Sequence, residues 1–244
     1  GYVIDPGIAR ISRYSFRTKV QRLPIEPVSQ ASANQRAGRC GRVAEGICIR
    51  LYSEQDFINR PEYTEPEILR TNLASVILQM QGLKLGEVSR FPFVDPPDHR
   101  LVNDGYRLLE ELGAVDAKRI ITPLGFDLLK FPIDPRIARM LVAAKEQHCL
   151  SEMLIIASGL SVQEPWQRPH DRQGAADEAL KRFQHDESDF LTFVNVWQQC
   201  EQQKTDLTNN QYRRWLLQNF LSYLRMREWQ DVYRQLKQAL HQLG

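Results

Sequence analysis

No run of apolar residues in this 244-residue sequence is longer than five, far short of the ~20 needed for a membrane-spanning helix. Cysteine is scarce: Cys40, Cys48, Cys149 and Cys200 lie far apart, with no C-x-x-C and no histidine at zinc-ligand spacing. That pattern argues against a disulfide scaffold and a structural zinc site, and free thiols in a reducing cytoplasm are expected. His99, His148, His170, His185 and His241 are scattered and read as surface or helix-end residues, so no metal is expected. None of the glycines is followed by lysine, which removes any G-x-x-x-x-G-K-[ST] phosphate loop. Also missing are an internal period of 20 to 50 residues, which argues against a solenoid, and any initiator Met or secretory segment in Gly1 to Gly7. The start reads as a strand running into a turn, in the middle of something longer.

What is present is the composition of a packed protein: 42% hydrophobic and 25% charged residues, enough apolar material to argue against disorder. The length allows one large or two to three small domains. A net charge of +2 hides an asymmetry, because residues 1–50 hold nine Lys and Arg against three Asp and Glu. A local basic excess of this kind suits one polyanion-facing surface.

Proline clusters divide the chain, since proline favours first helical turns and extended connections. The junctions at 60–66, 95–97 and 131–135 give expected domains 1–64, 65–132 and 133–244. The first alternates strand-like pieces (2–4, 8–16, 20–25, 47–52) around one short polar helix. In the second, Leu69, Leu73, Val76, Ile77 and Met80 predict a helix over 66–83, with Pro66 in its first turn. Another follows over 98–112, ending at Gly113, and Thr122-Pro123 supply the N-cap and first position of a third. Helix, helix, small strands, helix is winged-helix-like. The rest reads as helical, with Asp134 and Ser151 as N-caps and Phe190, Phe193, Val194 and Trp197 on one face. An aromatic stripe from Trp215 through Trp229 to Tyr233, on one segment over 209–243, is assigned to core packing over base stacking.

The chemistry is concentrated in Ala31 to Arg42, ASANQRAGRCGR. Ser32 and Gln35 fit a capping box, which predicts a helix from about Ala33. On that helix Gln35, Arg39 and Arg42 fall at i, i+4 and i+7, so one amide and two guanidiniums share a face, with Gly38 and Gly41 leaving the adjoining surface bare. Such a face suits a triphosphate: arginine's planar fork matches the phosphoryl oxygens bidentately, and glutamine can orient an attacking water without titrating. A solvated basic helix is the plainer reading of any arbitrary arginine cluster, but the full Q-R-x-G-R-x-G-R string is more restrictive.

Gln35-Arg36-Ala37-Gly38-Arg39-Cys40-Gly41-Arg42 resembles motif VI of the DEAH-box RNA helicases, with Cys40 where alanine is commoner. Tyr2 to Gly7 resembles the strand after that family's motif V, and Pro66 to Ala74 its entry into the winged helix. Asp95-Pro96-Pro97, Leu124-Gly125, Phe131 to Arg136, Ile47 to Ser53 and Ser188 to Leu191 extend the resemblance over essentially the whole chain, most closely to the bacterial HrpA type. The resemblance implies a mainly α chain with a small α/β part: the C-terminal part of a second RecA-like domain (1–64), a winged-helix domain (65–132) and a helical ratchet-like domain (133–244). It implies catalytic roles for Gln35, Arg39 and Arg42 and nucleotide contacts from Gln35, Arg36, Arg39 and Arg42. ATP with Mg²⁺ would be the cofactor of the full-length protein, with none held tightly by this segment alone. RNA and the first RecA-like domain in cis would be its partners, in a monomeric cytoplasmic protein with no membrane association.

Asp177-Glu178-Ala179-Leu180 imitates the start of a D-E-A-x metal-binding motif but lacks the apolar strand such a motif ends, and it reads as helix. Arg10, Arg13, Arg17, Lys19 and Arg22, interleaved with Ile11, Tyr14, Phe16 and Val20, fit a protruding RNA-binding ribbon turning near Arg17-Thr18, or equally a charged edge hairpin. Two competing functions remain. A winged-helix reader of nucleic acid is disfavoured because its recognition helix would carry Asp98, Asp104, Glu110 and Glu111 against only Arg100 and Arg107. A helical interaction scaffold would leave the arginine motif unexplained.

Overall fold

The computed structural model describes residues 1–11, 13–15, 20–22, 24–42 and 44–242, and the chain divides into two compact units, 1–109 and 110–244. The chain is mainly helical with a small strand-containing part, as expected. The division between units falls inside a helix, at a different place from the proline-based boundaries.

In the first unit, β1 (Tyr2–Asp5) pairs in parallel with β6 (Ile47–Arg50), Tyr2 opposite Ile47 and Asp5 opposite Arg50. Between them runs an antiparallel ribbon: β2 (Ile8–Arg10) pairs with β5 (Ile25–Pro27), and β3 (Arg13–Ser15) with β4 (Val20–Arg22). Both ladders keep one register, residue i facing residue 35 − i, and the Ile11 N–H donates to the Pro24 carbonyl between them at 3.0 Å. The ribbon expected from the alternating cations and apolar residues is therefore there. Its anticipated turn at Arg17-Thr18 lies outside the described residues.

Helix α1 (Gln30–Ala37) begins three residues earlier than the capping-box reading places it. Its cap is Ser29, whose Oγ accepts the Ser32 N–H at 3.2 Å. The N–H groups of Gln30 and Ala31 donate to the Pro61 and Glu62 carbonyls, both at 2.9 Å. A distant segment thus satisfies the orphan donors of the first turn, and Ser32, the expected cap, lies inside the helix. Helix α2 (Glu54–Asn59) follows β6, capped by Ser53.

The helix expected over 66–83 is broken. A 3-10 turn spans Glu67–Leu69, and α3 (Ala74–Gly82) starts only after Asn72, whose Oδ1 accepts the Ala74 N–H at 2.9 Å. It meets α4 (His99–Glu111) through Gly105, where an added Cβ would lie 2.6 Å from Ile77 Cδ1, around a core of Leu73, Ile77, Leu101 and Leu109. After Gly113 (φ +72°) an isolated antiparallel bridge joins Val115 to Ile121, and Thr122 caps α5 (Pro123–Leu129) by accepting the Gly125 N–H at 3.1 Å, as its sequence signalled.

The second unit continues with α6 (Pro135–Glu146), capped by Asp134, and α7 (Leu150–Leu160). Ser151 is not the cap of α7. The turn at His148 (φ +56°) brings Cys149 to that position, without a side-chain cap. Helix α8 (Gln173–Lys181) contains Asp177 and Glu178, which pair with Arg168 and Lys181, so the metal-motif imitation is a helical surface. Helices α9 (Asp189–Asp206), α10 (Asn209–Gln218) and α11 (Tyr223–His241) complete the unit; the expected single segment over 209–243 is two helices.

The core of this unit is aromatic. Trp229 is fully buried, and its indole N–H is within 3.1 Å of the Ile155 carbonyl and 2.9 Å of Ser158 Oγ. Its ring meets Phe193 and Trp197 edge-on, with centroids 5.7 and 5.2 Å away. Gly159 permits this, since a Cβ there would sit 2.6 Å from Phe193 Cδ1. The aromatic stripe is core as expected, but its centre is Trp229. Trp215 is only partly buried against it, and Leu224 is exposed.

Candidate active site

Helix α1 ends at Ala37, with Gly38 as its cap, and the Arg39 and Cys40 N–H groups close a tight turn onto the Arg36 and Ala37 carbonyls at 3.0 and 3.3 Å. Arg39 and Arg42 therefore do not continue the helical face of Gln35, as spacing alone predicted. They stand on the turn that follows. The cause lies in Gly38 and Gly41, which weaken helix propagation, and in the Cys40 thiol, whose Sγ is 2.8 Å from the Ala37 carbonyl. Gly46 lets the returning chain close over that turn, because a Cβ there would fall 2.4 Å from the Cys40 carbonyl oxygen. Gln35, Arg39 and Arg42 are all exposed, and a Cβ on Gly41 would meet nothing within 4 Å. The last turn of α1 and the turn after it thus present one amide, two guanidiniums and bare backbone outward.

Arg36 behaves differently. Its Nη1 donates to Asp5 Oδ1 at 2.8 Å, and both its Nη atoms reach the Ile8 carbonyl at 3.2 Å. Asp5, buried at the end of β1, also accepts from the Gly7 N–H at 2.9 Å and the Tyr52 hydroxyl at 2.8 Å. Burial pushes the Asp5 carboxyl up, but the bonds from Gly7, Arg36 and Tyr52, with the Arg36 charge, outweigh it and leave it below the usual carboxylate value. The Tyr52 phenol is pushed up, by burial and then by Asp5. Beside this pair lies Arg60, 9% exposed, which donates to the Gly7 carbonyl at 2.8 Å and to Asp56 at 2.6 Å and stacks 3.9 Å over the Tyr52 ring. Gly7 (φ +73°) makes room for it, since a Cβ there would be 2.5 Å from the Tyr52 ring.

This polar knot was not foreseen from the residues themselves. Its legible signals were an aspartate closing an apolar strand two residues before a glycine and an arginine placed just before Pro61.

Among the described residues, the ribbon's cations Arg10 and Arg13 differ in environment. Arg10 is exposed; Arg13 pairs with Glu26 at 2.9 Å and with Glu65. Arg17 and Lys19 lie outside the described residues, and Arg22 stands opposite Arg13 in the ladder. The bonds from Glu26 and then Glu65 raise the Arg13 guanidinium further above its ordinary value.

Comparison with known proteins covers every part of the chain. Residues 134–193 match the helicase associated domain (HA2), ratchet-like. The whole chain is 60% identical, over 248 residues, to the ATP-dependent RNA helicase HrpA of Escherichia coli (strain K12), and 57% identical, over 250 residues, to the ATP-dependent RNA helicase HrpA homolog of Haemophilus influenzae. In each case all of this chain aligns with 19% of the relative, so it spans about a fifth of their length. With its motif VI string, its HA2 region and this end-to-end identity, the chain is similar to one segment of the HrpA-type ATP-dependent RNA helicases.

Proposed function

We propose that this chain is part of an ATP-dependent RNA helicase and supplies the arginine side of its nucleotide site. The observation that carries this is the end of α1 and the turn after it, where Gln35 on the helix and Arg39 and Arg42 on the turn are exposed, with open space at Gly41, while the neighbouring Arg36 is held inward by Asp5 and Ile8. Exposed guanidiniums on a turn braced from below suit a triphosphate delivered by another domain, here the first RecA-like domain in cis. ATP with Mg²⁺ supplies the phosphoryl group and its charge neutralisation when bound. Gln35 would orient water, and Arg39 and Arg42 would stabilise charge on the phosphoryl oxygens. Arg36, among the residues matching the family's nucleotide contacts, would act by holding the turn.

In this reading residues 1–64 complete a RecA-like layer, 65–132 form the winged helix and 133–244 the ratchet-like region of a monomeric cytoplasmic protein. Exposed Tyr2, Ile4, Ile47 and Ile49 on β1 and β6 support the first part, because a parallel pair is normally covered on both faces. Arg10, Arg13, Arg17, Lys19 and Arg22 would grip the RNA backbone.

The test is steady-state kinetics on the full-length protein. Arg39→Ala or Arg42→Ala should lower kcat by roughly 10³-fold with a smaller loss of RNA affinity. Equal loss of both would make the motif a nucleic-acid contact instead.

A further inference from the structure

Three helices of the second unit, α9, α10 and α11, enclose a cleft of about 230 Å³ that the nucleotide reading does not use. Its walls carry Lys204, Arg227 and Arg234, with Asp231 as the one carboxylate among the lining residues, and Asn209 and Gln230 add neutral amides. Lys204 and Gln230 are tied across the helices by a 3.1 Å bond from Nζ to Oε1. Tyr212 also lines the cleft. It is 4% exposed, and its hydroxyl lies beside the Cys200 thiol, a weak partner, and finds no oxygen or nitrogen.

The cations converge. Arg213 lies 4.4 Å over the Tyr223 ring at the rim, and the Tyr223 phenol is lowered by its bond to Arg213, against a smaller opposing effect of burial, and further by the charges of Arg213, Arg227 and Lys204. The carboxylates facing this region are Asp231, paired with Arg234, and Glu201, which accepts from Gln230 at 2.7 Å. Cations therefore outnumber carboxylates, four to two.

We propose that this cleft is a binding site for a phosphate ester. Arg227 and Arg234 can fork onto its oxygens, Lys204 adds a point charge, and Asn209 and Gln230 can donate to the attached sugar. The volume lies below the ~300 Å³ at which ordinary small-molecule pockets begin, so a phosphate with one sugar fits better than a whole dinucleotide. The same chemistry could come from a free sugar phosphate or from one unit of a nucleic-acid backbone.

Calorimetric titration of the 244-residue chain at one fixed salt concentration separates these sources. The probes are ribose 5-phosphate, uncharged ribose and a six-residue oligouridylate. Ribose 5-phosphate should bind and ribose should not. Arg227→Gln with Arg234→Gln should weaken binding at least tenfold, with the circular dichroism unchanged because both side chains are exposed. Oligouridylate binding at least tenfold tighter than the monomer, and lost in the same variant, supports the site with backbone as its source. Equal affinities support it with a free phosphate. Ribose binding as well as its phosphate, no binding of either phosphate at millimolar concentration, or binding lost only in Arg39→Ala with Arg42→Ala would overturn the site and leave the motif VI reading intact.

Discussion

Residues 1–64 and the second unit are built by opposite means. In residues 1–64 the best-buried groups include a carboxylate and a guanidinium, Asp5 and Arg60, while Tyr2, Ile4, Ile47 and Ile49 stay exposed. In 110–244 the centre is Trp229, Leu216 and Leu236, fully buried, and the charges lie outside. The first segment positions chemistry on its surface through directional bonds between few elements. The second gains its order from apolar burial, which is non-directional and tolerant of surface charge. Exposed strands and an inward polar knot suit a piece that works against neighbours, whereas an aromatic core suits a self-contained one.

Substitutions should sharpen that contrast. The largest effect is expected at Trp229→Ala, which leaves a cavity among Phe193, Trp197 and Gly159 and should cost about 3–5 kcal/mol by denaturant titration. Trp215→Ala should cost clearly less, because Trp215 only borders the cluster. Equal costs would mean that the core is not centred on Trp229. Next is Asp5→Asn, at about 1–3 kcal/mol, since the bonds from Arg36 and Tyr52 lose their charged acceptor.

Asp5 also gives the sign of an acid effect. Its folded value is depressed, so its contribution is full above the unfolded aspartate value of about 4 and is lost as pH falls through that value toward the folded one. Asp5→Asn should therefore flatten the acid limb of a melting-temperature profile for the first unit. An unchanged limb would assign the acid sensitivity elsewhere. The smallest effect on stability should come from Arg39→Ala with Arg42→Ala: both are exposed, and the melting temperature should stay within the shift of about 0.5 kcal/mol usual for surface changes. A large fall would make the arginines structural. In the same assays the unmodified chain should hydrolyse no ATP alone, because its sequence contains no phosphate-loop lysine; turnover at the full-length rate would refute this.

What could be read in advance followed the range of the interactions involved. Local signals worked: Thr122 and Asp134 cap their helices, Gly113 ends α4, and Asp177 sits in a helix. Ser29 and Ser32 both had the chemistry of a cap. Carbonyls of Pro61 and Glu62, some thirty residues away, selected Ser29, which periodicity could not register. The helical spacing of Gln35, Arg39 and Arg42 was correct as arithmetic, but the glycines that suggested a bare surface also ended the helix that the arithmetic required. Arg36 and Arg39 look equivalent in the string, and only the fold separates an inward clamp from an outward charge. Arg13, read with its basic neighbours, also pairs with Glu26 and, from 52 positions away, with Glu65.

The Arg36 clamp has a mechanical meaning. Its guanidinium holds both the end of β1 at Asp5 and the first residue of the ribbon at Ile8, and the only glycine between them, Gly7, is wedged against Tyr52 and Arg60. A load pulling on the ribbon therefore meets a stiff joint at its root, whose displacement passes directly into the last turn of α1. Arg39 stands on the turn directly beyond this post, so the position of Arg36 passes to it through the Arg39 N–H bond to the Arg36 carbonyl.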